Sequence, residues 1–112
     1  MKKILAVLLA GAMALSLIGC SKASGGTKVG VSMPTKDLQR WNQDGANMKA
    51  QLEKAGYQVD LQYAANDINT QISQIENMIT GKCKVLVIAS IDGSSLSNVL
   101  ATAKKKNIKV IA

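Results

Sequence analysis

The sequence has no histidine and no phenylalanine, and only one proline, one tryptophan, two tyrosines and two cysteines in 112 residues. Without histidine, a Ser-His-Asp triad, a Cys-His pair and His-based zinc sites are excluded within the chain. Two cysteines supply neither the disulfide framework of a small secreted domain nor a four-Cys metal site. No metal and no cofactor is therefore expected. Acidic residues are scarce too, 7 against 14 Lys and Arg, for a net charge of +7. With 47% apolar residues the composition is that of a globular chain, and the length allows one small domain at most.

Part of that composition is not fold. Lys2 and Lys3 open the chain, residues 4–18 are almost wholly apolar, and the run closes on Leu17, Ile18, Gly19 and Cys20. Fifteen apolar residues are too few to span a bilayer, but a basic start before an apolar core is the order of a secretory signal. The terminal Leu-Ile-Gly-Cys resembles the bacterial lipobox. That resemblance implies a lipoprotein signal peptide over residues 1–19, with lipid on the Cys20 thiol. Residues 20–27 are small, polar and Gly-rich, and read as a flexible tether. Twelve Lys and Arg then remain against seven Asp and Glu, with one cluster at Lys104, Lys105 and Lys106. Such a run suits the negative end of a helix dipole. No aromatic residues interleave the basic ones, and with export implied no nucleic-acid partner is expected.

From Lys28 onward strand and helix patterns alternate. Residues 29–33 are a short β-rich run stopped by Pro34. Trp41, Gly45, Met48, Leu52 and Ala55 form a helical stripe ended by Gly56. Val59, Leu61 and Tyr63 alternate with polar residues, as in a half-buried strand. Ile68, Ile72, Ile75 and Ile79 repeat the helical stripe as far as Gly81, with Asp67 as its cap. Residues 85–89 are continuously apolar and β-branched, as in a strand buried on both faces. Leu96, Val99, Leu100 and Ala103 mark a third helix, and residues 108–111 begin a fourth strand. The order βαβαβαβ forces parallel pairing, so the expected fold is an α/β open parallel sheet over residues 28–112. Three helices on four strands leave a face and an edge of the sheet open, and the last strand reaches the final residue. The expectation is a partial lobe, truncated from a longer protein.

Ligand crevices of open α/β sheets lie beyond the carboxyl ends of the strands, where strand order reverses. With the order 2-1-3-4, that point falls between the first and third strands. The loop after the first strand offers Lys36, Asp37, Gln39, Arg40 and Trp41; the loop after the third offers Ser90 and Asp92. Other chemistries on such sheets lack their residues here. A dinucleotide site needs G-x-G-x-x-G after the first strand, where Val-Ser-Met-Pro-Thr-Lys stands instead. A phosphoacceptor site needs an acidic pair that Asp37 alone does not provide. No enzymatic motif is present, and the chain is not expected to be an enzyme.

The blocks KVGVSMPT from Lys28, Arg40-Trp41, QIENM from Gln74, KVLVIASIDG from Lys84 and IKVIA from Ile108 resemble the periplasmic sugar-binding proteins of the ribose/xylose-binding superfamily, of the D-xylose-binding and multiple-sugar receptor type. The resemblance implies two α/β lobes with a sugar clasped between them, of which this chain holds the first part of the first. It places Arg40 and Trp41 against the sugar and Asp92 at a polar site position. It also implies an Asp-Arg pair after the fourth strand, a place that falls beyond Ala112. The function implied is that of the substrate-binding lipoprotein of an ABC-type importer for a xylose- or glucose-like monosaccharide. Its partners would be the sugar, a permease and the membrane holding the lipid anchor, in the periplasm or at the outer face of the cytoplasmic membrane. A receptor passing sugar or autoinducer occupancy to a chemotaxis or two-component sensor would share that chemistry.

Sugar chemistry agrees with those residue types: a guanidinium offers a fixed fork of donors, a carboxylate several acceptors, and an indole a face for C–H groups. Each also has a plainer use. Trp41 lies on the core stripe of its helix, Arg40 is a first-turn charge, and Asp92 before Gly-Ser-Ser can cap the third helix. Cys83, entering an apolar strand, reads as a buried inert thiol.

Overall fold

A computed structural model describes residues 26–112, so the signal segment, Cys20 and most of the tether lie outside the described residues. The elements run β1 (Lys28–Met33), α1 (Gln39–Lys54), β2 (Gln58–Tyr63), α2 (Ile68–Thr80) and β3 (Val85–Ile88). A 3-10 turn (Ser94–Leu96), α3 (Ser97–Lys105) and β4 (Lys109–Ile111) complete them. All strands are parallel and the sheet order is β2-β1-β3-β4, which puts the reversal between β1 and β3 as expected. Ordered pairing begins one residue before β1: the Thr27 carbonyl accepts from the Gln58 N–H at 3.0 Å.

The boundaries follow local chemistry. Gly56 ends α1 with φ +98°, a conformation that costs a glycine nothing. Asp67 caps α2 by accepting from the Thr70 N–H at 2.7 Å. At the other end of α2 the left-handed residue is Lys82 (φ 67°), not Gly81 (φ −75°). The third helical pattern begins as a 3-10 turn, with Leu96 buried in it, and becomes α-helical at Ser97.

Gly30 and Gly45 set the spacing of the layers. A Cβ on Gly30 would lie 2.6 Å from Met78 Sδ and 2.9 Å from Leu86 Cδ2, so α2 approaches β1 only because that position is bare. A Cβ on Gly45 would lie 2.6 Å from the Tyr63 hydroxyl, which donates to the Asn42 carbonyl and ties α1 to β2.

Two apolar layers sandwich the sheet. Under α2 and α3 lie Ile75, Met78, Ile79, Leu86, Ile88, Leu96, Val99 and Ile108, with Cys83 buried among them. Burial pushes the Cys83 thiol pKa up, in keeping with an inert thiol. On the other face α1 packs Trp41, Met48 and Leu52 against Val29, Val31 and Met33. Burial of β3 on both faces is not what the fold delivers. Leu86 and Ile88 are buried beneath α2 and α3, but Val85 and Val87 on the α1 side are half-buried. The reason is coverage: α1 alone serves that face, and it lies over β1 and β2.

Candidate functional site

The carboxyl ends of β1 and β3 meet in a strip of backbone fixed from three directions. The Ala89 N–H donates to the Ser32 carbonyl at 2.9 Å, joining the two strand ends. The loop after β2 is pinned to the loop after β1: the Ala64 N–H donates to the Met33 carbonyl, and the Asn66 N–H to the Pro34 carbonyl at 2.7 Å. Ala65 and Asn66 both take left-handed φ values there (53° and 58°), unusual for an alanine.

The third tie is Gln71, which is fully buried on α2. Its Nε2 donates to Ser32 Oγ and to the Ala89 carbonyl, each at 3.0 Å, while its Oε1 accepts from the Ile91 N–H at 3.0 Å. One amide thus holds the end of β1, the end of β3 and the start of the loop carrying Asp92. The periodicity of α2 did not point to it. The buried face of α2 is Gln71, Ile75, Met78 and Ile79, while Ile68 and Ile72 are only half-buried. A glutamine on a helix reads as solvent-facing, and only its spacing of four residues before Ile75 could have placed it inside.

Arg40 and Trp41 are brought together on the first turn of α1. The guanidinium lies over the indole, 5.0 Å from the ring centroid, within cation–π range. The Arg40 side chain is 78% exposed, and its Nε lies 3.7 Å from Asp44 Oδ2 one turn on. The pair is a rim contact of little stabilising worth, leaving the donor fork to solvent. Trp41 has two surroundings. Half-buried, it packs on the sheet with Val29, Val31 and Met33, yet it also lines an open groove with Met33, Val87, Ala89 and Ile111. That groove, about 480 Å³, runs from the carboxyl edge along α1.

Asp92 sits on the loop after β3 and its contacts are local. Oδ1 accepts from the Ser94 N–H (3.2 Å) and hydroxyl (2.9 Å), and Oδ2 from the Ser95 hydroxyl (2.7 Å). Those bonds, first Ser95 and then Ser94, lower its pKa. The carboxylate caps the 3-10 turn that leads into α3. Three acceptor positions of about four are used by these bonds. Of the remaining loop residues, Lys36 is exposed and its carbonyl accepts from Asn42 Nδ2. Asp37 donates its N–H to the buried Thr35 hydroxyl. Among the described residues no cluster of His, Cys, Asp or Glu is built to hold a metal ion, and no helix is long and apolar enough to cross a membrane.

Residues 29–112 match the family described as periplasmic binding protein domain. The chain is 48% identical over 113 residues to the multiple sugar-binding periplasmic receptor of Rhizobium radiobacter, covering 100% of this chain and 32% of that protein. It is 42% identical over 110 residues to the D-xylose-binding periplasmic protein of Haemophilus influenzae, covering 98% and 33%. Among solved structures, an ABC transporter solute-binding protein of Clostridium phytofermentans with bound β-D-glucose is 72% identical. It superposes with a TM-score of 0.76 over 77% of this chain and 26% of its own. The chain thus spans about a third of the length of the curated relatives it matches. Those relatives are sugar-binding receptors, not enzymes.

Proposed function

Because the chain belongs to the periplasmic binding protein domain family, we propose that it supplies the first part of the sugar-binding lobe of an ABC-type importer for a xylose- or glucose-like monosaccharide. The whole protein would act in the periplasm or at the outer face of the cytoplasmic membrane, held by lipid on Cys20 and delivering its sugar to a permease. The observation carrying this reading is the Arg40–Trp41 pair at the strand-order reversal. An exposed donor fork stacks on an indole, beside a backbone strip that Gln71 keeps rigid. A pyranose needs those two surfaces, charged donors for its hydroxyls and an aromatic face for its C–H groups. Asp92 would add an acceptor from across the reversal. Import is preferred to sensing because the solved relative at 72% identity is an ABC transporter solute-binding protein.

One lobe offers half a cleft. It neither encloses the sugar nor excludes the water that weakens its hydrogen bonds. Calorimetric titration with xylose, glucose and arabinose should therefore give saturable heat with the two-lobe protein and little with the 112-residue chain. Absence of heat from every sugar with the two-lobe protein would overturn the reading. The anchor is tested separately: Cys20→Ser should abolish metabolic labelling by a fatty acid, and undiminished labelling would remove lipidation from the account.

A further inference from the structure

The basic residues are sorted to one end of the sheet, the end away from Arg40, Trp41 and Asp92. Lys28 and Lys109 open β1 and β4, and Lys84 immediately precedes β3. Their backbones are neighbours: the Lys84 N–H donates to the Lys28 carbonyl and the Lys109 N–H to the Lys84 carbonyl. Lys82 stands in the turn before them. Lys54 ends α1, and Lys104 to Lys106 end α3 and follow it. Helices between parallel strands run back against them, so those helix ends lie at the same amino edge. Eight of the eleven Lys and Arg residues from Gly26 onward are gathered there.

Helix ends account for Lys54, the Lys104 cluster, Lys82 directly after the Gly81 cap of α2, and Lys28, whose Nζ donates to the Gly81 carbonyl at 3.5 Å, but not for Lys84 and Lys109. None of the eight forms an ion pair with another described residue; the ion pairs are Arg40–Asp44 and Lys49–Glu53, both on α1. The acids at that end are fewer: Glu53, paired with Lys49 beside Lys54, and Glu76, which lines a cavity with Lys106. At the carboxyl edge Lys36 and Arg40 are outnumbered by Asp37, Asp67 and Asp92.

The chain path supplies the second observation. Gly26 and Thr27 line a shallow cavity with Lys28, Lys82 and Lys84, so the tether leaves the body through the basic edge. Gly26 lies six residue steps beyond Cys20. That length spans about 20 Å fully extended and about 14 Å as a flexible coil. Whatever holds the N-terminal segment in a membrane therefore keeps this edge within reach of the lipid surface, without by itself fixing the orientation of the body. We propose that the lysine-rich amino edge docks on anionic lipid headgroups. It would act as the second attachment beside the N-terminal anchor and leave the sugar-binding edge facing away from the bilayer. The inference rests on the anchor reading and not on the identity of the sugar. Each lysine within reach of an anionic surface favours the docked state by about five-fold, within roughly 8 Å at physiological salt.

The test uses α2 as a ruler, since it runs from the carboxyl to the amino edge with Asn69 and Asn77 exposed near its two ends. The full chain, held in vesicles by its own N-terminal segment, carries a fluorophore at Asn69→Cys or at Asn77→Cys; Cys83 is buried and is not labelled. Quenching by a headgroup-borne quencher should be several-fold stronger at position 77 than at 69 in phosphatidylcholine vesicles containing phosphatidylglycerol. The difference should disappear in pure phosphatidylcholine, in high salt, and in a Lys82, Lys84, Lys104, Lys105 and Lys106→Gln variant. It should survive Lys36→Gln. Equal quenching at both positions overturns the proposal, as does a difference that persists in neutral vesicles or in the five-lysine variant. A chain found free of the vesicles would instead mean that the anchor itself is absent, and the proposal falls with it.

Discussion

At the residue scale the site depends less on the groups that would touch a ligand than on the one holding their loops. Gln71 makes three hydrogen bonds in full burial, and glutamine alone offers both the donors and the acceptor in that geometry. Gln71→Leu strands the Ile91 N–H and removes the donor from Ala89, and should cost about 2–4 kcal/mol of unfolding free energy. Gln71→Glu keeps the acceptor and loses both donors, so it should fall at least as far near neutral pH. Urea denaturation of the three proteins measures this; a Leu variant as stable as the parent would show the amide to be dispensable. This residue was not legible in the sequence. A polar side chain on an apolar face is placed by partners three-dimensionally close but 18 to 39 positions away, and periodicity carries no such information. Arg40 and Trp41 were legible as a pair, but the guanidinium stacked over the indole emerges only from the fold. Asp92 was legible as acidic and loop-borne, but that both its oxygens are bonded to the two serines that follow it emerges only from the fold.

At the element scale, what was legible is what local chemistry decides. Gly56 stops α1 because only its φ of +98° turns the chain there without strain, and Asp67 starts α2 because its oxygen satisfies a free amide. What misled was β3. Four apolar β-branched or aliphatic residues look the same whether one face or two are covered, and coverage depends on where α1 lies. The two capping carboxylates make acid stability testable. Asp67 and Asp92 both have pKa values lowered in the folded state, chiefly by hydrogen bonds from Thr70 and from Ser95 and Ser94 respectively. The unfolded chain therefore takes up these protons first as pH falls. Their contribution is present above the ordinary carboxylate pKa and is lost as pH drops through the lower folded values. Asn at both positions keeps a neutral oxygen for the caps and removes the titration. Asp67→Asn with Asp92→Asn should flatten the fall of the melting temperature in acid, and an unchanged slope would assign that fall to other carboxylates.

At the scale of the molecule the sheet is polar in two senses. Its amino edge is basic and is where the described chain begins, at Gly26, and its carboxyl edge carries the candidate sugar residues. Across it, α2 and α3 seal one face while β3 and β4 lie open on the other. Ile111 is 61% exposed there, beside Val87 and the groove along α1. A bare face next to a parallel edge strand invites pairing with another chain. The 112-residue chain should self-associate with rising concentration in sedimentation velocity, and Ile111→Lys should reduce that association. A parent that stays monomeric throughout would show the open face to be harmless. The central claim remains that sugar is recognised at the strand-order reversal by Arg40 on Trp41. Calorimetric titration of Arg40→Ala in the two-lobe protein with D-xylose and D-glucose, paired with its sugar-free melting temperature, tests that claim most directly. Losing one charged donor from a closed site should weaken binding by about 1.5–3 kcal/mol, or roughly ten- to 150-fold. The melting temperature should hardly move, because the side chain is 78% exposed and its ion pair lies at the surface. Parental affinity in Arg40→Ala would contradict the account.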